Sequence, residues 1–245
     1  MRGVGTLINL ATVLAGSLTG VFIGDRLPER ARRTVMQGLG LVTIAVAVAG
    51  FEPLFDPNEG LKRFVILIVS TIAGGLVGEA AGLEERLESV GERLRRRFEK
   101  VTRSDDVGDH GRFVEGFVIA TTVFCVGPLT ILGSVEDGLG LSIRLLAIKS
   151  TLDGFAAIGF ASIYGWGVLA SLISIAVIQG IITAGAVLIS PLMTSEVIAQ
   201  LGATGSLLVL GISFRLLDIV KVRVVSLLPA LVIASITAGV VEAAF

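Results

Sequence analysis

The sequence predicts an all-α fold, a polytopic membrane bundle of about eight transmembrane helices forming one membrane domain over 1–245. Two observations carry the class. Hydrophobic residues make up 53% of the chain and charged residues 17%, with a mean hydropathy of +0.88, so the bilayer is its main solvent. The apolar residues also come in runs about 20 long, the length that crosses a hydrocarbon core, and short connectors use up the rest. No stretch remains for a soluble domain.

The spans lie near 4–24, 34–55, 62–82, 113–135, 143–164, 167–190, 197–217 and 223–243. The first follows only Arg2 and exceeds the about 7–15 residue core of a signal peptide, so it is expected to stay in the mature protein. It carries Gly16, Gly20 and Gly24 at four-residue spacing, as the third carries Gly74, Gly78 and Gly82. Glycine faces let backbones approach where no hydrophobic effect separates helix from lipid. A tight contact between spans one and three, or between copies in a homo-oligomer, is expected. The second span opens at Gln37. In the fourth, Gly127-Pro128 removes a backbone donor and predicts a kink or break. The fifth holds Lys149 and Asp153, the sixth Gln179, and the eighth follows Lys221 and Arg223.

Orientation follows from where basic residues collect, since they stay cytoplasmic near span ends. The first connector has Arg26, Arg30, Arg32 and Arg33, and 83–112 has eight Lys or Arg from Arg86 to Arg112. The connectors around Glu136 and Asp137 and around Pro191 to Glu196 have none. Eight spans with both termini outside a cytoplasmic membrane satisfy this pattern. Segment 83–111 is then a cytoplasmic amphipathic helix and connector. Leu83, Leu87, Val90, Leu94, Phe98 and Val101 recur on one helical face, opposite Arg95, Arg96 and Arg97. Such a helix lies on the anionic leaflet, packs on its own bundle, or does both.

Two internal repeats are legible. Ser70-Thr71-Ile72-Ala73-Gly74 is matched by Ser150-Thr151-Leu152-Asp153-Gly154, and spans one to three weakly match spans six to eight in inverted orientation.

Chemistry rests on few residues. An ionisable group within a span is costly and marks a candidate site. Asp153 falls near the bilayer midplane with Lys149 one turn earlier on the same face, a spacing that permits a salt bridge. Glu115 and Gln179 are expected to face Asp153 across a shared cavity, with the Gly127-Pro128 break beside it. Glu136 and Asp137 form an acidic entry at the outer end. The competing reading is a dry polar network that only fixes helix register. Asn9 and Gln37 lie near span ends, where interfacial hydrogen bonding explains them. His110 is the only histidine and Cys125 the only cysteine, and net charge is −1. A disulfide framework, a metal cluster, a nucleic-acid surface and a Ser-His-Asp enzyme all lack raw material. No P-loop occurs. No cofactor and no enzyme activity are expected; the partners expected are the lipid bilayer and a small solute or ion.

Residues 33–41, 113–139 (Phe-Val-Glu-Gly-Phe through Phe-Cys-Val-Gly-Pro-Leu-Thr to Glu-Asp-Gly-Leu), 149–162 (opening Lys-Ser-Thr-Leu-Asp-Gly-Phe) and 210–231 resemble the YqgA/YdfK-type family of uncharacterised prokaryotic membrane proteins. The resemblance runs from end to end apart from 83–111. It implies a multi-spanning protein and supplies no substrate, and Glu115, Asp137, Lys149 and Asp153 match the family's polar motif positions. The leading expectation is a secondary transporter or channel. The alternative is a non-transporting scaffold that senses lipid or a partner through 83–101.

Overall fold

The computed structural model describes residues 2–24, 26, 28–102 and 110–244, with the side chains of 98–102, 110, 128, 243 and 244 left outside the description. Among the described residues the chain is helical and has no strand. The helices are α1 Val4–Gly24, α2 Glu29–Ala49, α3 Gly60–Ala80, α4 Leu83–Thr102, α5 His110–Val126, α6 Pro128–Leu139, α7 Arg144–Tyr164, α8 Trp166–Ala184, the single turn α9 Ala186–Ile189, α10 Ser195–Leu216 and α11 Pro229–Ala244.

Among the described residues six segments are long and apolar enough to cross a membrane: α1, α3, α7, α8, α10 and Val225–Glu242, which joins a 3-10 turn to most of α11. α5 and α6 make a seventh if they count as one broken span, the axis turning by 59° between Gly111–Val126 and Leu129–Leu139. The helix expected at 34–55 runs earlier, over Glu29–Ala49, and takes in Arg30, Arg32 and Arg33. Those charges keep it out of the count. Its chain then turns at Gly50 and enters a 3-10 helix, Glu52–Phe55, through Pro53. Large apolar side chains stand outward on these helices: Phe22 is 73% exposed, Phe155 72% and Leu76 68%. On a soluble surface that much apolar area drives association; around helices of spanning length it is the lipid face of a membrane protein.

The chain divides into two compact units. The first comprises Met1–Leu39, Glu85–Cys125 and Leu129–Ala186. Its axis is the pair α1 and α7, which run parallel with their backbones touching. A Cβ on Gly16 would strike the Gly154 carbonyl, one on Gly20 the Ile158 carbonyl and one on Gly24 the Ser162 carbonyl. The first glycine face therefore meets α7 and not the third span. Arginines close the far ends of both helices: Arg32 donates to the Gly24 carbonyl and Arg112 to that of Ile163. Last-turn carbonyls have no helical partner, so each guanidinium satisfies one and faces the negative end of the helix dipole. α8 runs antiparallel to α1, the Thr6 and Thr183 hydroxyls meeting at 3.1 Å.

α4 lies on α5, with Gly91 buried against Phe117 and Val114. Leu87 and Leu94 are half-buried, whereas Val90 stays 43% exposed. The predicted stripe is thus only partly spent on packing. The side chains of Phe98 and Val101, and the acidic connector at Asp105, Asp106 and Asp109, lie outside the described residues.

The second unit comprises Gly40–Glu84, Val126–Pro128 and Val187–Phe245. Gly74 packs on Ala230, and Gly78 on the backbone of Ser226, so α3 lies against the start of α11 and the turn before it. Gly82, read as the third member of that face, instead ends α3: its φ is +60° and its N–H closes on the Glu79 carbonyl at 3.0 Å. Arg63 at the start of α3 binds Glu196 at the start of α10 with two hydrogen bonds, 3.0 and 2.5 Å. Near the other ends, Glu84 pairs with Arg215 at 3.4 Å and Glu79 with Arg223 at 2.6 Å. α3 and α10 are therefore parallel, tied at both ends.

Candidate functional site

The site grows from one face of α7. Lys149 and Asp153 are a turn apart there, 4% and 7% exposed, and the Lys149 ammonium donates to the Asp153 carboxylate. Two charges removed from water in this way are tolerable only as a pair with further polar support. Ser150 does not supply it, since its hydroxyl donates to the Leu146 carbonyl at 2.5 Å. Thr151 is exposed and bonds the Ala147 carbonyl.

Support comes from α1. Asn9 is fully buried, and its amide faces the Asp153 carboxylate without closing a hydrogen bond to it. Gln179 on α8 is fully buried as well, with neither amide atom paired among the described residues. These two amides stand at one level. From the Thr6 and Thr183 contact, α1 advances three residues to Asn9 while antiparallel α8 steps back four to Gln179. Leu10, Ala11 and Leu14 continue the same register against Leu172, Ile173 and Ala176, which line an open, apolar groove of ≈ 330 Å³. The Ser17 and Ser134 hydroxyls are also buried, with no hydrogen-bond partner among the described residues. Cys125 of α5 is buried within electrostatic reach of Lys149 and Asp153.

Other expected members fall elsewhere. Glu115 is half-buried on α5 beside Gly116, whose Cβ would meet Tyr164 at the end of α7. That is about 16 Å along the helix from Asp153, so the two do not share a level. Asp137 is no open entry group. It is fully buried and accepts the backbone N–H groups of Gly5 and Thr6 at 3.1 Å each, together with the Thr6 hydroxyl at 3.2 Å. A carboxylate from α6 thereby caps the start of α1. Glu136 beside it is half-buried, and its carbonyl receives the Leu141 N–H as α6 ends. The chain bends at Gly127 before α6 opens at Pro128.

The residues of this site lie inside a match that covers nearly the whole chain: the family model described as "Protein of unknown function (DUF554)" fits residues 4–238. The chain belongs to the DUF554 family. It is 30% identical over 231 residues to the Uncharacterized protein YqgA of Escherichia coli (strain K12), covering 94% of each. It is 28% identical over 239 residues to the Uncharacterized membrane protein YdfK of Bacillus subtilis (strain 168), covering 98% of this chain and 97% of that one. No solved structure matches. The family resemblance read from the motifs therefore holds.

In this DUF554 chain, sequence reasoning passed over Asn9 and the pair Arg63 and Glu196. Asn9 was assigned to an interface because it is near the start of its span. The signal against that was its register: it lies seven and eleven residues before Gly16 and Gly20, on the face that the glycines turn toward α7.

Proposed function

We propose that this protein is a secondary transporter or channel for a small solute or ion, seated in the cytoplasmic membrane with both termini outside, an arrangement in which α2 crosses as the eighth span and α5 with α6 make one broken span. One observation carries the reading. In a helix of spanning length, Lys149 and Asp153 are buried with the Asn9 amide turned to the Asp153 carboxylate, and Gln179 is fully buried at the level of Asn9 with no hydrogen-bond partner among the described residues. Ionisable groups at such depth are costly and are kept where they line a path. A scaffold would lose nothing by carrying leucine in place of an unpaired amide. Arg32 and Arg112, at the ends of α1 and α7, support the orientation, because basic residues collect on the cytoplasmic side.

A second reading, a lipid-sensing scaffold, has its own observation: Arg86, Arg93, Arg96 and Arg97 are exposed on α4. Reconstitution separates the two. Proteoliposomes are tested for flux of alkali cations, halides, protons and small organic solutes. A flux that is lost in a folded Gln179→Leu variant supports transport. Vesicles as tight as protein-free ones across the panel, with α4-dependent binding to anionic lipid, overturn it in favour of the scaffold.

A further inference from the structure

The geometry points to a binding site for a small zwitterion, an α-amino acid in its ammonium and carboxylate form, at the level of Asn9, Lys149, Asp153 and Gln179. The assignment deepens the transport reading and rests on it for the purpose of the site, though binding is measured apart from flux.

Net charge decides the class first. Lys149 and Asp153 already neutralise each other in the interior of the first unit. A ligand with a net charge would leave one charge uncompensated at a depth where that is most costly. The occupant must add none. The donor and acceptor inventory then decides between neutral ligands. Among the described residues Gln179 has neither its NH₂ group nor its carbonyl oxygen in a hydrogen bond, and Asn9 turns its amide to the Asp153 carboxylate without closing a hydrogen bond to it; both are fully buried and at one level. With the ion pair opened, the site offers three acceptors: the Asp153 carboxylate, Asn9 Oδ1 and Gln179 Oε1. It also offers three donors: the Lys149 ammonium, Asn9 Nδ2 and Gln179 Nε2. An α-amino acid brings three N–H donors on one atom and a carboxylate two bonds away, the complement of that set.

The pair can open because both partners sit on one helix. The Lys149 side chain is long and rotatable, so its ammonium can swing from Asp153 to a ligand carboxylate without moving α7. Leaving the Gln179 amide unpaired and the Asn9 amide short of a hydrogen bond in the empty state costs stability that an occupant returns, which is a reason for binding. An alkali cation would find the same oxygens but would share the site with Lys149. Water would satisfy the amides and leave the ion pair closed.

The test uses the purified full-length protein in detergent. Its melting is followed with glycine and L-alanine, and with glycine betaine, urea, and equimolar acetate plus methylammonium as controls. Glycine or L-alanine is expected to raise Tm by about 5 °C at a hundredfold excess over Kd. Glycine betaine, which has no N–H, and the separate halves should not. Gln179→Leu removes an unpaired amide and is expected to melt at or above the parent while losing the shift; Asn9→Leu also takes an amide away from Asp153 and is expected to lose the shift with a lower Tm. An unchanged Tm with every amino acid, equal shifts with the controls, or a full shift retained in both variants overturns the assignment, the first meaning that the amides hold water only. The flux assay separates the two readings. Binding of glycine without its passage into proteoliposomes leaves the site standing and removes the transport reading. Passage of another solute without any amino-acid binding does the reverse.

Discussion

The Asp137 carboxylate receives the backbone N–H of Gly5 at 3.1 Å, so the first turn of α1 is closed by a residue from the end of α6. That relationship makes a buried acid structural, and it carries the first prediction. Asp137→Ala leaves two buried donors unpaired and should cost about 1–3 kcal/mol, read as a lower Tm in detergent. Thr6→Ala removes a hydroxyl but neither N–H bond and should cost less. A variant D137A that melts like the parent would show that water caps α1 as well as the carboxylate does.

Gly20→Val should be among the most damaging single changes in α1. The new side chain meets the Ile158 carbonyl and Ala161, and backbone on the far side cannot give way. A loss of about 1–3 kcal/mol is expected, visible as unfolding at lower SDS. Gly38→Ala and Gly180→Ala are the controls, because nothing among the described residues lies within 4 Å of a Cβ at either position. Equal stability of all three would mean that α1 and α7 are not in backbone contact.

Lys149→Met and Asp153→Asn should each cost about 3–5 kcal/mol in buffer free of amino acids, since each strands a buried charge. The double variant should recover most of that. Parent-like melting of both single variants would remove the pair from the interior.

Arg63 and Glu196 are 12% and 17% exposed at the side chain and joined by two hydrogen bonds, unlike the solvated pairs that contribute little. A cycle with Arg63→Met and Glu196→Gln should return a coupling of about 1–3 kcal/mol. Additive losses would reduce the contact to a surface pair.

Topology is read with cysteines at exposed positions, Cys125 being buried. Cysteine in place of Leu141 or Leu192, 73% and 66% exposed, should react with an impermeant thiol reagent from outside. One in place of Val220, 56% exposed, should react only after permeabilisation. Labelling of all three from one face would end the orientation proposed here.

What could be read in advance was what local chemistry decides. The apolar runs located α1, α3, α7, α8 and α10 to within a few residues, because a bilayer-crossing helix is a property of its own composition. Lys149 and Asp153 were legible because four-residue spacing places them on one face whatever surrounds them. Asp137 was not: its role exists only where α6 delivers it to the start of α1, and no local pattern encodes that meeting. Asn9 failed for the same reason, its surroundings being α7 and α8. The misplacement of α2 had a different cause, the arginines that look like a boundary being tolerated inside the helix.

The pairing of α1 with α7 also sets a schedule. Gly5 and the acid that caps it are 132 positions apart, so α1 is synthesised long before its glycine face and Asn9 have anything to meet. At ribosomal speeds of about 5–20 residues per second the delay is on the order of ten seconds. Through that interval the Asn9 amide and the bare backbone of the glycine face have neither α7 nor Asp137 to cover them.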